Sequence, residues 1–177
     1  IKLESLGYFF GMSYPIELGI LSIPLTIIAV VGLTNAINMI DGHDGFASSF
    51  VLIAILGLFS FSSHISPLNN FLLLIVAATV PFMVFNIIPY FKIKVFLGDG
   101  GSLFLGFILS WSLIYSAENT NHFNPSYALW CVAIPLFDFF TVIILRLFKK
   151  KSIVIAEKDH IHHHLQNLGF NKYIILI

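Results

Sequence analysis

Five apolar stretches, separated by short polar connections, constrain this chain more than any other feature. They run over Ile20–Ile37, Phe46–Phe61, Phe71–Ile88, Ser102–Ser116 and Tyr127–Phe148. A helix needs about 20 residues at ~1.5 Å each to cross ~30 Å of hydrocarbon. The fifth stretch reaches that length outright. The second and fourth are short, and need their glycine-rich N-terminal flanks or a locally thinned bilayer to span. Pro24, Pro81 and Pro135 fall inside stretches, where partner helices can satisfy the carbonyls they free. Of 177 residues, 58% are hydrophobic and 10% charged, where a soluble domain carries about 25% charged residues. That excludes an ordinary soluble globule, a disordered tail and a nucleic-acid-binding domain. The formal net charge is zero, so no global field points to a polyionic partner. One cysteine, Cys131, excludes an internal disulfide and a thiolate cluster. The expected fold is all-α: a polytopic transmembrane helical bundle in the lipid bilayer, one membrane domain over 1–177.

The cations orient it. Lys92 and Lys94 lie in the third connection, and Arg146, Lys149, Lys150, Lys151 and Lys158 follow the fifth stretch. The connections Ser62–Asn70 and Ala117–Ser126 hold no Lys or Arg. By the positive-inside rule the basic connections face the cytoplasm, and counting spans backward puts Asn38–Gly45 there too. Three polar segments distant in sequence then meet one membrane face. The chain opens at Ile1 without a signal-like segment and closes on Tyr173–Ile177, which reads as the start of a further helix. It is expected to be the C-terminal part of a longer protein, with about five spanning helices.

The first polar segment, Asn35–Gly45, carries Asp41-Gly42-His43-Asp44-Gly45 directly after an apolar run. Ionisable groups at a membrane boundary usually face a polar cavity or a cation, and oxygen ligands suit Mg²⁺ better than zinc. Plain turn chemistry is the competing explanation, since Asn, Asp and Gly all favour turns. The second segment, Lys94–Ser102, places Asp99 among glycines before the fourth run. Glycine-flanked helix N-termini accept anions, although Asp99 or Ser102 could equally be a helix cap. The third segment, Glu157–His164, holds four of the seven histidines. Consecutive residues point in different directions on a helix, so phosphate or sugar contacts suit them better than one zinc ion. Asp138, inside the fifth run, is either functional or a structural partner within the bundle.

The three segments in this order resemble the polyprenyl-phosphate N-acetylhexosamine-1-phosphate transferases, glycosyltransferase family 4. Its patterns Asn-Ala-x-Asn-x-x-Asp-Gly-x-Asp-Gly, Phe-x-Gly-Asp-x-Gly-Ser and His-x-His-His match Asn35–Gly45, Phe96–Ser102 and His160–His163. The likeness runs from about Ile20 to Phe170 and is greatest to the WecA-like branch, which starts O-antigen or common-antigen lipid assembly. The peptidoglycan-precursor branch, the phospho-MurNAc-pentapeptide transferases, shares a run like Ile161–His164.

The resemblance implies transfer of a sugar-1-phosphate, GlcNAc-1-phosphate first among them, from a UDP-N-acetylhexosamine to undecaprenyl phosphate, with Mg²⁺ (or Mn²⁺) assisting and UMP released. It implies a bacterial inner-membrane protein with its site facing the cytoplasm; a homodimer is left open. Asp99 would ligand the metal and Asn38 would contact the diphosphate. Asp41 and Asp44 would line the catalytic pocket with His160, His162 and His163, and Phe96 would meet the uracil. Asn86 and His164 complete the expected substrate contacts. The family's Asp-Asp motif is absent from these residues, in keeping with a truncated chain. A proton-coupled transporter using Asp138 and the histidines is a rival reading, as is a zinc hydrolase built on His162.

Overall fold

The computed structural model describes residues 1–8, 12–42, 44–61, 67–88, 95–119, 123–149 and 168–169. They form a helical bundle: α1 (Ser22–Ile40, entered through a short 3-10 turn at Gly19–Leu21), α2 (Phe46–Phe61), α3 (Pro67–Ile87), α4 (Gly98–Asn119), α5 (Pro125–Cys131) and α6 (Ala133–Phe148). Three helical segments, Gly19–Ile40, Pro67–Ile87 and Gly98–Asn119, are long and apolar enough to cross a membrane. The pair α5 and α6 makes a fourth if counted as one broken span. At 16 residues α2 is shorter, about 24 Å of rise.

The core lies where α1, α2 and α4 meet, with Ile37, Val51, Ile55 and Leu109 fully buried. Much of the remaining apolar surface points outward, including Ile27, Ile28, Leu74 and Phe107. That is the distribution expected where the solvent is hydrocarbon and bundles are held by close packing. Several hydroxyls within the helices satisfy themselves locally, although Thr34 Oγ1 is buried without a partner. Ser110 Oγ donates to the Gly106 carbonyl at 2.6 Å, Ser112 Oγ to Ile108 at 2.7 Å and Thr79 Oγ1 to Ile75 at 2.7 Å. Without water to serve them, such groups need an internal partner.

α1 and α4 run antiparallel and approach closest at Gly106. A Cβ built there would lie 2.9 Å from Thr34 Cα, 3.1 Å from Thr34 O and 3.2 Å from Ile37 Cβ. Small residues at four-residue spacing on α4, Ser102, Gly106 and Ser110, form the face that permits this approach. One turn beyond the crossing, each helix carries its polar residues.

The fifth apolar run is not one straight helix. It breaks at Val132, and α5 and α6 meet at a 76° bend. Pro135 lacks the N–H that would bond the Cys131 carbonyl, so the helix restarts with proline in its first turn, where no donor is needed. α6 buries Pro135, Asp138, Val142 and Arg146 on one stripe. Arg146, only 2% exposed, sits in the last turn, where a cation is favoured by the helix dipole.

Candidate active site

The polar cluster forms where the C-terminal end of α1 meets the N-terminal end of α4. Asn38, half-buried in the last turn of α1, donates from Nδ2 to Ser102 Oγ at 2.8 Å and to Asp99 Oδ1 at 3.3 Å. Ser102 is fully buried, and its hydroxyl also lies 3.1 Å from the Gly98 carbonyl and 3.3 Å from that of Asp99. It sits inside the first turns of α4 rather than capping the helix. Asp99 occupies the first turn, where the helix dipole stabilises a negative charge. It is exposed, so one carboxylate face remains open.

Asp41 follows as the C-terminal flanking residue of α1, its N–H bonded to the Asn38 carbonyl. Burial pushes its carboxyl up to about 6, and the negative charge of Asp99 adds to the shift. Two acidic groups are therefore held within electrostatic reach of each other, one partly desolvated. Such an arrangement destabilises the metal-free protein at neutral pH and favours a bound cation. The turn continues through Asp44 to Gly45, whose φ of +74° is the left-handed conformation that favours glycine. The chain thus enters α2 directly, anchored by Ser49 N–H to the Gly45 carbonyl at 2.8 Å.

On the other side of the cluster, Asn86 lies in the last turns of α3, 6% exposed. Its Nδ2 donates to the Val95 carbonyl at 2.6 Å, which ties α3 to the segment that leads into Phe96, Gly98 and Asp99. Its Oδ1 is buried without a hydrogen-bond partner. Phe96 is 69% exposed.

The profile of glycosyl transferase family 4 matches residues 1–117, a span that includes the whole cluster. The chain belongs to glycosyl transferase family 4. Among similar proteins, the undecaprenyl-phosphate alpha-N-acetylglucosaminyl 1-phosphate transferase of Escherichia coli (strain K12) is 37% identical over 174 residues, 96% of this chain and 47% of that protein. The probable undecaprenyl-phosphate N-acetylglucosaminyl 1-phosphate transferase of Bacillus subtilis (strain 168) is 35% identical over 158 residues, 88% and 43% respectively. The counterpart from Yersinia pestis is 34% identical over 174 residues. The chain spans about half the length of the curated relatives it matches. No solved structure matches it.

Within this family 4 chain the structure brings together Asn38, Asp41 and Asp99, and adds Ser102. Ser102 was legible only as a cap; its four-residue spacing from Gly106 was the available signal that it faces α1. Asp44 lies in the turn beyond Asp41 and takes part in interactions of its own. The expected contacts His160, His162, His163 and His164 lie outside the described residues, as do His43, Lys92 and Lys94. Asp138 is buried on the α6 stripe, and both it and Arg146 are engaged within the protein.

The donor set can be tested against a metal. Among the described residues no group of three or more His, Cys, Asp or Glu side chains could hold an ion. Among the described residues the donor set does not fit zinc, which takes three or four protein ligands, and His162, on which the zinc reading rests, lies outside them. Two carboxylates with an amide and a hydroxyl nearby fit Mg²⁺, which keeps several waters and binds through one or two carboxylates and substrate phosphates.

A stability prediction follows from Asp41. Its folded pKa is raised, so the folded state binds a proton that the unfolded state releases between about pH 6 and the usual 3.8. This group therefore destabilises the metal-free protein above pH 6, and the penalty disappears as pH falls below that of the unfolded carboxyl. Asp41→Asn is expected to raise Tm at pH 7 by about 1–3 °C, allowing for solvent screening of a half-exposed group, and to leave Tm unchanged at about pH 3, below both carboxyl values. Differential scanning fluorimetry in detergent without divalent cations, at both pH values, measures it; an equal shift at both would contradict the electrostatic origin.

Proposed function

We propose that the protein transfers N-acetylglucosamine-1-phosphate from the UDP-sugar to undecaprenyl phosphate, with an Mg²⁺-assisted site at the inner, cytoplasmic face of a bacterial membrane. The observation that carries this reading is the packing of Asn38 and Asp41 from one helix end against Asp99 and Ser102 from another. The relatives' names supply undecaprenyl phosphate and the N-acetylglucosaminyl 1-phosphate group, and the family resemblance of the motifs supplies the uridine nucleotide. In the reaction an oxygen of the lipid phosphate attacks the β-phosphorus of the nucleotide sugar, the bridging bond to the α-phosphate breaks, and UMP leaves.

Phosphoryl transfer needs mainly positioning and charge neutralisation. Asp99, oriented by Asn38 Nδ2, would hold the metal with Asp41 close behind, and the ion would supply neutralisation of the diphosphate charge. Asn38, itself held by Ser102 Oγ, donates to Asp99 Oδ1 and so orients the carboxylate before substrate arrives. Phe96 offers an exposed ring for the uracil. Asp44 would line the pocket, with His160, His162, His163 and His164 as the expected cationic or hydrogen-bonding contacts to phosphate and sugar. The same cluster serves Mn²⁺ equally well.

The acceptor is a phosphate on a long hydrocarbon, and the bundle offers an apolar cavity of about 260 Å³ between α1, α4, α5 and α6. Its wall is aliphatic or aromatic except for Ser110, whose hydroxyl is already bonded to Gly106. Such a cavity stays dry, and it suits the carrier's isoprenoid chain. It lies on the other side of the Gly106 crossing from the polar cluster, so the chain would pass along α6 by way of Phe140 and Leu136.

The test is incubation of the complete protein in lipid nanodiscs with undecaprenyl phosphate and a panel of UDP-sugars, with mass spectrometry of the lipid fraction. A diphospho-linked N-acetylhexosamine, formed with stoichiometric UMP and only when Mg²⁺ or Mn²⁺ is present, is the expected result. Lipid product without UMP, or none with any sugar nucleotide, would overturn it.

A further inference from the structure

The end of the bundle opposite the polar cluster is closed by a strap, formed by residues 1–8 and 12–18 ahead of α1. Its two limbs pair antiparallel: Leu6 N–H donates to the Ile16 carbonyl at 2.9 Å, Ile16 N–H to Gly7 at 3.1 Å and Leu18 N–H to Glu4 at 2.9 Å. Three helices hold it. Leu3 N–H donates to Thr26 Oγ1 at 2.8 Å, and Ser22 Oγ donates to the Leu3 carbonyl at 2.6 Å, both on α1. Glu4 N–H donates to Glu118 Oε1 at 2.8 Å on α4, and Asn124 Nδ2, capping α5, donates to the Tyr8 carbonyl at 3.3 Å. Gly7, at φ +76°, lies so close to α5 that a Cβ would overlap Asn124 Oδ1 at 1.9 Å. From this clamped segment two apolar side chains, Leu3 and Leu6, reach inward and line the apolar cavity.

We infer that the strap is the floor of the carrier's hydrocarbon seat, and that Leu3 and Leu6 determine how many isoprene units the protein reads. The inference rests on the proposed seating of the carrier chain in this cavity and adds what limits it. Two observations carry it. The cavity wall on α1 runs from Leu33 to Leu25, so its deepest point lies about 20 Å along the helix from Asn38. Leu3 is tied by two hydrogen bonds to the α1 turn that brackets that point, at Ser22 and Thr26. A dry cavity of ~150 Å³ accepts a benzene ring, so 260 Å³ takes roughly ten carbons by the same ratio, or two isoprene units. Isoprene units beyond the floor lie in the bilayer and gain nothing from the protein.

Affinity is then expected to climb with chain length through close packing against the cavity wall, since transfer from lipid to an apolar cavity carries no hydrophobic gain, and to level off well short of the undecaprenyl length. The experiment measures binding of geranyl, farnesyl, geranylgeranyl and undecaprenyl phosphates to the complete protein in nanodiscs, for wild type, Leu6→Ala and Leu6→Trp. Leu6→Ala lowers the floor and should move the levelling point to a longer chain. Leu6→Trp raises it and should move the levelling point to a shorter chain. Binding that shows no levelling in wild type, or a levelling point that neither variant moves, would overturn the inference. Because the Ala variant only removes atoms, it keeps the test alive if the Trp variant does not fold. Release of UMP is followed on the same samples with the shortest carrier that binds. A levelling point that moves while no variant or wild type releases UMP would sink the transferase reading and leave the floor standing.

Discussion

Asp99→Asn is expected to lower turnover by about 10²–10³-fold, the usual cost of removing one preorganised charge from a transition-state site, while leaving the fold intact. The substitution is isosteric, and an amide oxygen at the Oδ1 position can still accept from Asn38 Nδ2, now at 3.3 Å. What disappears is the charge. The loss should therefore appear in kcat, with the concentration of Mg²⁺ needed for half-activity displaced upward. A second consequence separates this from a folding defect. Asp99 is one of the two causes that raise the Asp41 carboxyl, so the variant should bring that group back toward the ordinary aspartate range. Steady-state UMP release over a magnesium series, together with Tm as a function of pH, measures both. Full activity in a folded Asp99→Asn protein would remove the basis for a metal at this position.

Gly106→Val is expected to be the most disruptive single change in the bundle. The atoms that even an alanine Cβ would meet at 2.9 and 3.1 Å belong to the Thr34 backbone, which cannot rotate away as a side chain could. α1 and α4 would have to separate, and overpacking of this kind costs about 1–3 kcal/mol for small additions, with valine at or above the upper end. The effect on the site is geometric. Thr34 and Gly106 each lie one helical turn from the Asn38–Ser102 hydrogen bond, so separation at the crossing opens that 2.8 Å contact and releases Asp99. Gly106→Ala, milder in stability, should already reduce activity more than Tm. Gly57→Ala is the appropriate comparison, since the added Cβ would meet only Cys131 Sγ at 3.2 Å, a side-chain atom. Thermal melts and turnover for the three variants provide the measurement; equal losses in Gly106→Ala and Gly57→Ala would show that the crossing has no special role.

Much of the architecture was legible from the amino acids. The apolar run Phe46–Phe61 coincides with α2, because its boundaries are marked by glycine-rich turn chemistry before and a polar connection after. The fourth run was drawn from Ser102, but α4 begins at Gly98 and extends to Asn119. Glycine and aspartate are poor helix formers, and only packing of α4 against α1 makes those first residues helical. The third run began too late for the same reason: α3 starts at Pro67, a residue suited to a first turn, and takes the polar Asn69 and Asn70 into the helix. The fifth run was read as one span and is two helices at 76°. Hydropathy measures only length and apolarity, so it carries no information about direction.

The candidate site divides the same way. Asn38, Asp41 and Asp99 stood out because polar and ionised groups at the ends of apolar helices are costly unless they serve something. Asn86 was expected to touch substrate; its amide N–H bonds the Val95 carbonyl, and its carbonyl oxygen is buried without a hydrogen bond, neither of which the sequence shows. Ser102 was legible as a cap but not as a partner of Asn38, and Gly106 carried no chemical signal, being a small residue in an apolar helix.

Composition, the spacing of apolar runs and the carboxylate-bearing turns determined by themselves that this chain is a helical membrane protein and which side chains are expensive to place. Those are properties of local transfer free energy, additive along a chain. Which of those side chains touch, how far α5 leans from α6 and where a dry cavity remains were decided only by the tertiary structure. The contact of Asn38 with Ser102, for example, goes with a crossing so close that a Cβ on Gly106 would lie 2.9 Å from Thr34 Cα, and distance between residues remote in sequence is not encoded in the preferences of either one.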